Sequence, residues 1–155
     1  MARIHRLTAA ILPLAALIGI FGCNFFLGKS AGEAVAARIH AQVQQKDYSA
    51  IYNEASAGFK QTAPESDFIE FMQNYSSKTG AFKQATQVAW EIGVDATAGK
   101  MYTFVYELEF ENGTVREKLV FSRSEQGKMQ LRSLQWSPVQ RKAKPTERPP
   151  QTTVS

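Results

Sequence analysis

The chain has 155 residues, of which 44% are hydrophobic, 21% charged and 11% aromatic, with a single cysteine. One domain fits that length, and the composition excludes wholesale disorder, a collagen-like repeat and a disulfide scaffold. The net charge of +4 belongs to the ends: residues 1–22 carry +2 and 139–155 carry +3, whereas 23–138 hold twelve Lys/Arg against thirteen Asp/Glu. A basic nucleic-acid-binding domain is therefore excluded, and no cofactor or nucleic acid is expected as a partner.

The chain opens with Arg3 and Arg6, then an almost unbroken apolar stretch from Leu7 to Phe21, then Gly22 and Cys23. The stretch contains Pro13 and falls short of the ~20 apolar residues of a spanning helix, so it reads as a secretory signal over 1–22. Ile20-Phe21-Gly22-Cys23 resembles a bacterial lipobox, with an aliphatic residue at −3, a small one at −1 and the only cysteine at the cleavage point. The resemblance implies a bacterial lipoprotein: signal removal before Cys23, diacylglyceryl attachment to its thiol, acylation of the new amine by a fatty acid such as palmitate, and a membrane anchor. Two or three acyl chains hold stably where one does not. With Asn24 after the Cys, where Asp would suggest inner-membrane retention, the resemblance implies the outer membrane, facing the periplasm. Residues 23–30 then form the lipidated Cys and a short tether.

From Ala31 the pattern turns helical, with Val35, Ile39 and Val43 on one stripe. Asp47 is placed to cap a second helix that turns Tyr48, Ile51, Tyr52 and Ala55 inward, closed by Gly58 and the polar run Lys60-Gln61-Thr62. Pro64 suits the first turn of a third helix with Phe68, Ile69, Met72 and Tyr75 on its buried face, ended by Ser76 to Gly80.

After Gly80 the period becomes two. Val88, Trp90 and Ile92 share a face, and Tyr102, Phe104, Tyr106, Leu108 and Phe110 alternate with Thr103, Val105, Glu107 and Glu109. Asn112-Gly113 matches a type I′ hairpin turn, which would pair Glu109 with Arg116, Glu107 with Lys118, Phe104 with Phe121 and Tyr106 with Leu119. Glu125-Gln126-Gly127 suits a three-residue loop ending in a left-handed glycine, setting Phe121 against Leu131. The apolar phase slips between Leu131 and Leu134, so a bulge is expected near Arg132-Ser133 before Pro138 stops the last strand.

Three helices on a curved four-stranded antiparallel sheet over 31–138 make an α+β class. The segments KDYSAIYNEA and PESDFIEFM, the paired aromatic strands and the terminal LQW resemble the cystatin-like cone of the nuclear transport factor and ketosteroid isomerase superfamily, in particular uncharacterised lipoprotein domains of that kind. Residues 139–155, Pro-rich and basic, read as a disordered tail that either touches anionic headgroups and wall polymers or is simply solvated.

Enzymes of that superfamily project acids or histidines into the cone. Here His5 leaves with the signal, and His40 lies off the Val35–Val43 stripe and reads as a solvated or rim residue, with no neighbours spaced to hold a metal. Glu117 breaks the apolar pattern on the inward face, opposite Leu108 and near Trp136 in the expected register. A carboxylate desolvated there would be a general acid or base; near an open edge it would instead reach water or bond a tyrosine. Trp90, Tyr102, Tyr106, Glu117 and Trp136 either line a pocket for an apolar ligand or fill the core. The sequence thus favours a non-enzymatic envelope module that binds a partner protein. A small-ligand carrier, and an isomerase- or dehydratase-type enzyme using Glu117, are the alternatives. Glu107, Glu109, Arg116 and Lys118 on the outer sheet face argue for a monomer.

Overall fold

The computed structural model describes residues 18–97 and 99–138, with side chains from Leu27 onward. Most of the expected signal and the whole basic tail lie outside these residues. Four helices, α1 (Ile18–Gln45), α2 (Tyr48–Glu54), α3 (Ala57–Thr62) and α4 (Glu65–Thr79), precede four strands, β1 (Phe82–Asp95), β2 (Gly99–Phe110), β3 (Gly113–Arg123) and β4 (Met129–Pro138). The strands form one antiparallel sheet in chain order, as the α+β reading requires.

Residues 24–30, read from the sequence as a tether, are helical and continuous with α1. The reason is a close approach to the sheet. A Cβ at Gly28 would overlap the Tyr102 ring and one at Gly32 the Phe104 ring. With Ala36 fully buried one turn later, small residues every four positions bring α1 down onto β2. Ile39 and Val43 continue that contact, whereas Val35 is only partly buried, so the seam is rotated slightly from the expected stripe.

Asp47 caps α2 as expected, its carboxylate accepting from the Ala50 amide at 3.1 Å, after Lys46 reverses the chain at φ 59°. The segment expected to close that helix is instead a short helix of its own, α3. Ser56 is the cause: its hydroxyl accepts from the Phe59 amide at 3.2 Å while its own amide donates to the Leu131 carbonyl at 2.9 Å, tying α3 to β4. Pro64 caps α4, Glu65 and Asp67 sit in its positive first turn, and Phe68 and Met72 are its buried residues.

The sheet turns Tyr102, Phe104, Tyr106, Leu108 and Phe110 of β2 and Val115, Glu117, Leu119 and Phe121 of β3 inward, all buried. β1 departs from simple alternation: register shifts between Phe82 and Gln84 and between Gln87 and Ala89 put Val88 in a bulge with its side chain exposed. Trp90 and Ile92 stay inward, opposite Phe104 and Tyr102. On the other side, Phe121 pairs with Leu131, Arg132 is the extra residue of a bulge, and Gly127 takes φ 76° in the loop, all as the sequence implied.

The β2–β3 register differs from the expected one by two residues. Glu107 pairs with Arg116, Phe104 with Leu119 and Tyr106 with Glu117, so the turn residues are Glu111 and Asn112, neither at positive φ. Tertiary bonds override the local Asn-Gly preference. The Asn112 amide donates to the Thr79 carbonyl at 2.9 Å, the Glu111 amide to Ala81 O at 3.0 Å, and the Glu111 carboxylate accepts from the Ala81 amide at 3.0 Å. A shift of two preserves the face of every side chain, so the inward set survives the change of partners.

Candidate functional site

The inward face of β3 carries one acid. Glu117 has no exposed surface, and the strands flanking it supply Tyr106 on one side and Trp136 on the other as its direct cross-strand neighbours. This corrects the expected Leu108 pairing and rules out a carboxylate that reaches water. Glu117 Oε1 accepts from the Trp136 indole N–H at 2.8 Å, and Oε2 lies 2.6 Å from His40 Nε2. With the carboxylate oxygen as the acceptor, Nε2–H is the donor of that bond.

His40 is likewise not a rim residue. It is buried because it continues the series Gly28, Gly32, Ala36 at four-residue spacing, the seam along which α1 meets the sheet. That spacing was the available signal for it. Its ring meets the edge of Tyr106 with centroids 4.7 Å apart at 81°, and stacks on Phe82 at 6.1 Å. The Tyr106 hydroxyl donates to Gln87 Oε1 at 3.3 Å. Burial, then the negative charges of Glu33 and Glu117, push the Tyr106 phenol up to about 12. Trp136 is packed edge-on against Tyr75 and Phe110, with centroids at 5.2 and 5.8 Å.

The five residues considered for a ligand pocket are thus divided. Tyr106 and Trp136 flank Glu117, and His40 bonds Glu117 and packs on Tyr106. Tyr102 is buried beneath Gly28, and Trp90 is half-buried further along β1 with the Lys29 ammonium 5.4 Å above its ring. Four concavities of the described residues reach only Trp90 and Trp136 of this set. A half-open groove of about 550 Å³ runs between α4 and the ends of β3 and β4, lined by Phe71, Tyr75, Lys78, Asn112, Val115 and Pro138. One of about 520 Å³ crosses the outer sheet face past Val88, Val105, Arg116 and Lys118. Smaller ones of about 210 and 160 Å³ border Trp136 and Trp90 respectively. None of these four is lined by Tyr102, Tyr106, Glu117 or His40.

Chemically, the His40–Glu117–Trp136 set has both carboxylate oxygens committed to protein donors. A general base must come within about 2.6–3.2 Å of the atom bearing the proton it takes, and here His40 Nε2 and Trp136 Nε1 already occupy those positions. An unpaired carboxylate in such surroundings would cost several kcal/mol; two strong bonds offset that. On the outer face, Arg116 bonds Glu107 at 3.2 Å and Glu109 accepts from Gln84 Nε2 at 3.1 Å. No helix among the described residues is long and apolar enough to cross a membrane. Scanned against protein-family models the chain matches none, and it matches no curated protein.

Proposed function

We propose that the chain is a lipid-anchored protein of the cell envelope, attached through Cys23 to the outer membrane on its periplasmic side, and that its domain is a non-enzymatic, monomeric interaction module for another envelope protein. The lipobox-like Ile20-Phe21-Gly22-Cys23 supports the anchor. The observation that carries the non-enzymatic reading is the closure of Glu117: no exposed surface, and both oxygens held by His40 and Trp136. A carrier reading is weakened for the same reason, since the inward aromatics pack on one another and on α1. The groove beside Phe71 and Tyr75 is the concavity best suited to a partner, with two aromatic rings, a cation and backbone groups of the β2–β3 turn at its rim.

Two measurements test this. Expressed in a bacterium with an outer membrane, the protein takes up radiolabelled palmitate, and Cys23→Ala does not; equal labelling of both would sink the anchor. His40 is the only histidine after residue 22, so its reactivity reports closure directly. In the folded protein it resists diethyl pyrocarbonate and reacts on unfolding, whereas fast modification of the native state would reopen the catalytic reading.

A further inference from the structure

The helix–sheet contacts orient the domain with respect to its own N-terminus. Gly28 lies on Tyr102 and Gly32 on Phe104, so α1 and β2 run in the same direction. Four helical residues rise about 6 Å and two strand residues about 6.6 Å, so the two elements stay in step. Counting back from Gly28, Asn24 is level with Lys100 and its partner Val94, and Cys23 is level with the tip of the β1–β2 hairpin. The β3–β4 loop, Ser124–Lys128, is at this end as well, because Met101 pairs with Ser122 and Arg123 with Met129.

This end is unusual in what it exposes. Val94 at 81% and Leu27 at 60% are the two most exposed large apolar side chains among the described residues. Val94 also continues an inward row: Trp90 and Ile92 before it are half-buried, and the row runs on past the end of the core. Lys100 and Lys128 are exposed at the same end, Lys29 pairs with Glu33 over Trp90, and the Arg123 guanidinium is bonded to Gly127 O. The acids here besides Glu33 are Glu91, opposite Thr103, Asp95 and Glu125, so the four cations are matched in number by four acids. Exposed apolar side chains at a tip whose Lys100 and Lys128 have long stems able to lie along apolar surface match a bilayer interface, and the apolar contact rather than net charge carries the match.

We propose that this end of the domain rests on the phospholipid surface, with Val94 and the β1–β2 hairpin tip entering the headgroup layer beside the acyl chains of Cys23. The inference rests on the proposed lipidation. Only about 7 Å of helix separates Cys23 from the first residue packed on the sheet, so anchoring brings the tip within reach of the same leaflet. The anchor supplies residence and the tip supplies orientation. The groove beside Phe71 and Asn112, at the opposite end of strands about 36 Å long, is then presented away from the membrane.

The test uses the full chain purified from a lipidating host, with acylation of Cys23 checked by mass. Diacylglyceryl attachment converts the Cys23 thiol to a thioether, so Val94→Cys and, separately, Asn112→Cys each provide one reactive thiol for an environment-sensitive fluorophore. In vesicles of phosphatidylethanolamine and phosphatidylglycerol carrying a nitroxide lipid quencher, quenching at position 94 is expected to exceed that at 112 several-fold. Lys100→Glu should narrow the gap. Equal quenching at both positions in protein whose Cys23 is acylated overturns the membrane contact alone. An unacylated Cys23, visible as two labelled thiols, overturns the anchor and the contact together.

Discussion

Replacing His40 with Leu removes one of the two groups bonded to a carboxylate that has no exposed surface. Breaking a buried pair by deleting one partner costs about 3–5 kcal/mol, a large share of the roughly 5–15 kcal/mol that holds a small domain folded. Glu117→Leu instead leaves the indole N–H of Trp136 and the Nε2–H of His40 without acceptors, at about 1–3 kcal/mol each. The double variant His40→Leu/Glu117→Leu leaves only the indole N–H orphaned, so it should lose only about 1–3 kcal/mol and be more stable than His40→Leu alone. Urea unfolding followed by tryptophan fluorescence and circular dichroism measures all four proteins. The cycle should return a coupling of at least about 2 kcal/mol. Additive losses, agreeing within about 0.5 kcal/mol, would show that the 2.6 Å contact is energetically empty and refute the argument that closure of this site is what stabilises the acid.

Tyr106 makes the stability alkali-sensitive. Its folded value, about 12, lies above the ordinary 10.0, so its contribution is complete below about pH 10 and is lost as pH rises toward 12, by up to roughly 2–3 kcal/mol. The stability advantage of the wild type over Tyr106→Phe should therefore shrink between pH 9 and about 12, and a difference that does not change with pH would contradict the cause assigned. Gly32→Val forces a branched side chain into the Phe104 ring. A loss of about 1–3 kcal/mol is expected from unfolding curves, and an unchanged midpoint would mean that α1 does not lie against β2 as described.

Much of the sheet was legible because strand side chains alternate and a phase slip has one simple cause. The Arg132 bulge, the Phe121–Leu131 pair and Gly127 follow from that logic alone. Asp47 was readable for a similar reason, since a cap acts within one turn. What escaped depends on groups distant in sequence. The Asn112-Gly113 dipeptide carries a local preference, but Thr79 and Ala81 decide the turn from thirty residues away. His40 looked peripheral against the Val35–Val43 stripe because glycines carry no hydrophobic signal, although Gly28 and Gly32 mark the face that packs most closely. With His40 put outside, Glu117 lacked its partner, and the candidate site was read as an active acid, or as one that reaches water or bonds a tyrosine.

The β2–β3 hairpin has two registers that differ by two residues, and apolar burial hardly distinguishes them, because both keep the same side chains inside. Glu117 does distinguish them. With α1 seated on Tyr102 and Phe104, the imidazole is fixed beside Tyr106, and a slip that set Glu117 opposite Leu108 would carry its carboxylate about 7 Å along the sheet from that donor. A buried polar pair of this sort acts as a key between near-degenerate alignments. The chain keeps a polar pair in its interior and obtains a single alignment of its two central strands. Phe104 already touches the Phe121 ring diagonally in the observed register, with centroids 5.8 Å apart, so the reporter is backbone pairing: in the double variant that key is gone, and Phe104 should be found directly opposite both Leu119 and Phe121.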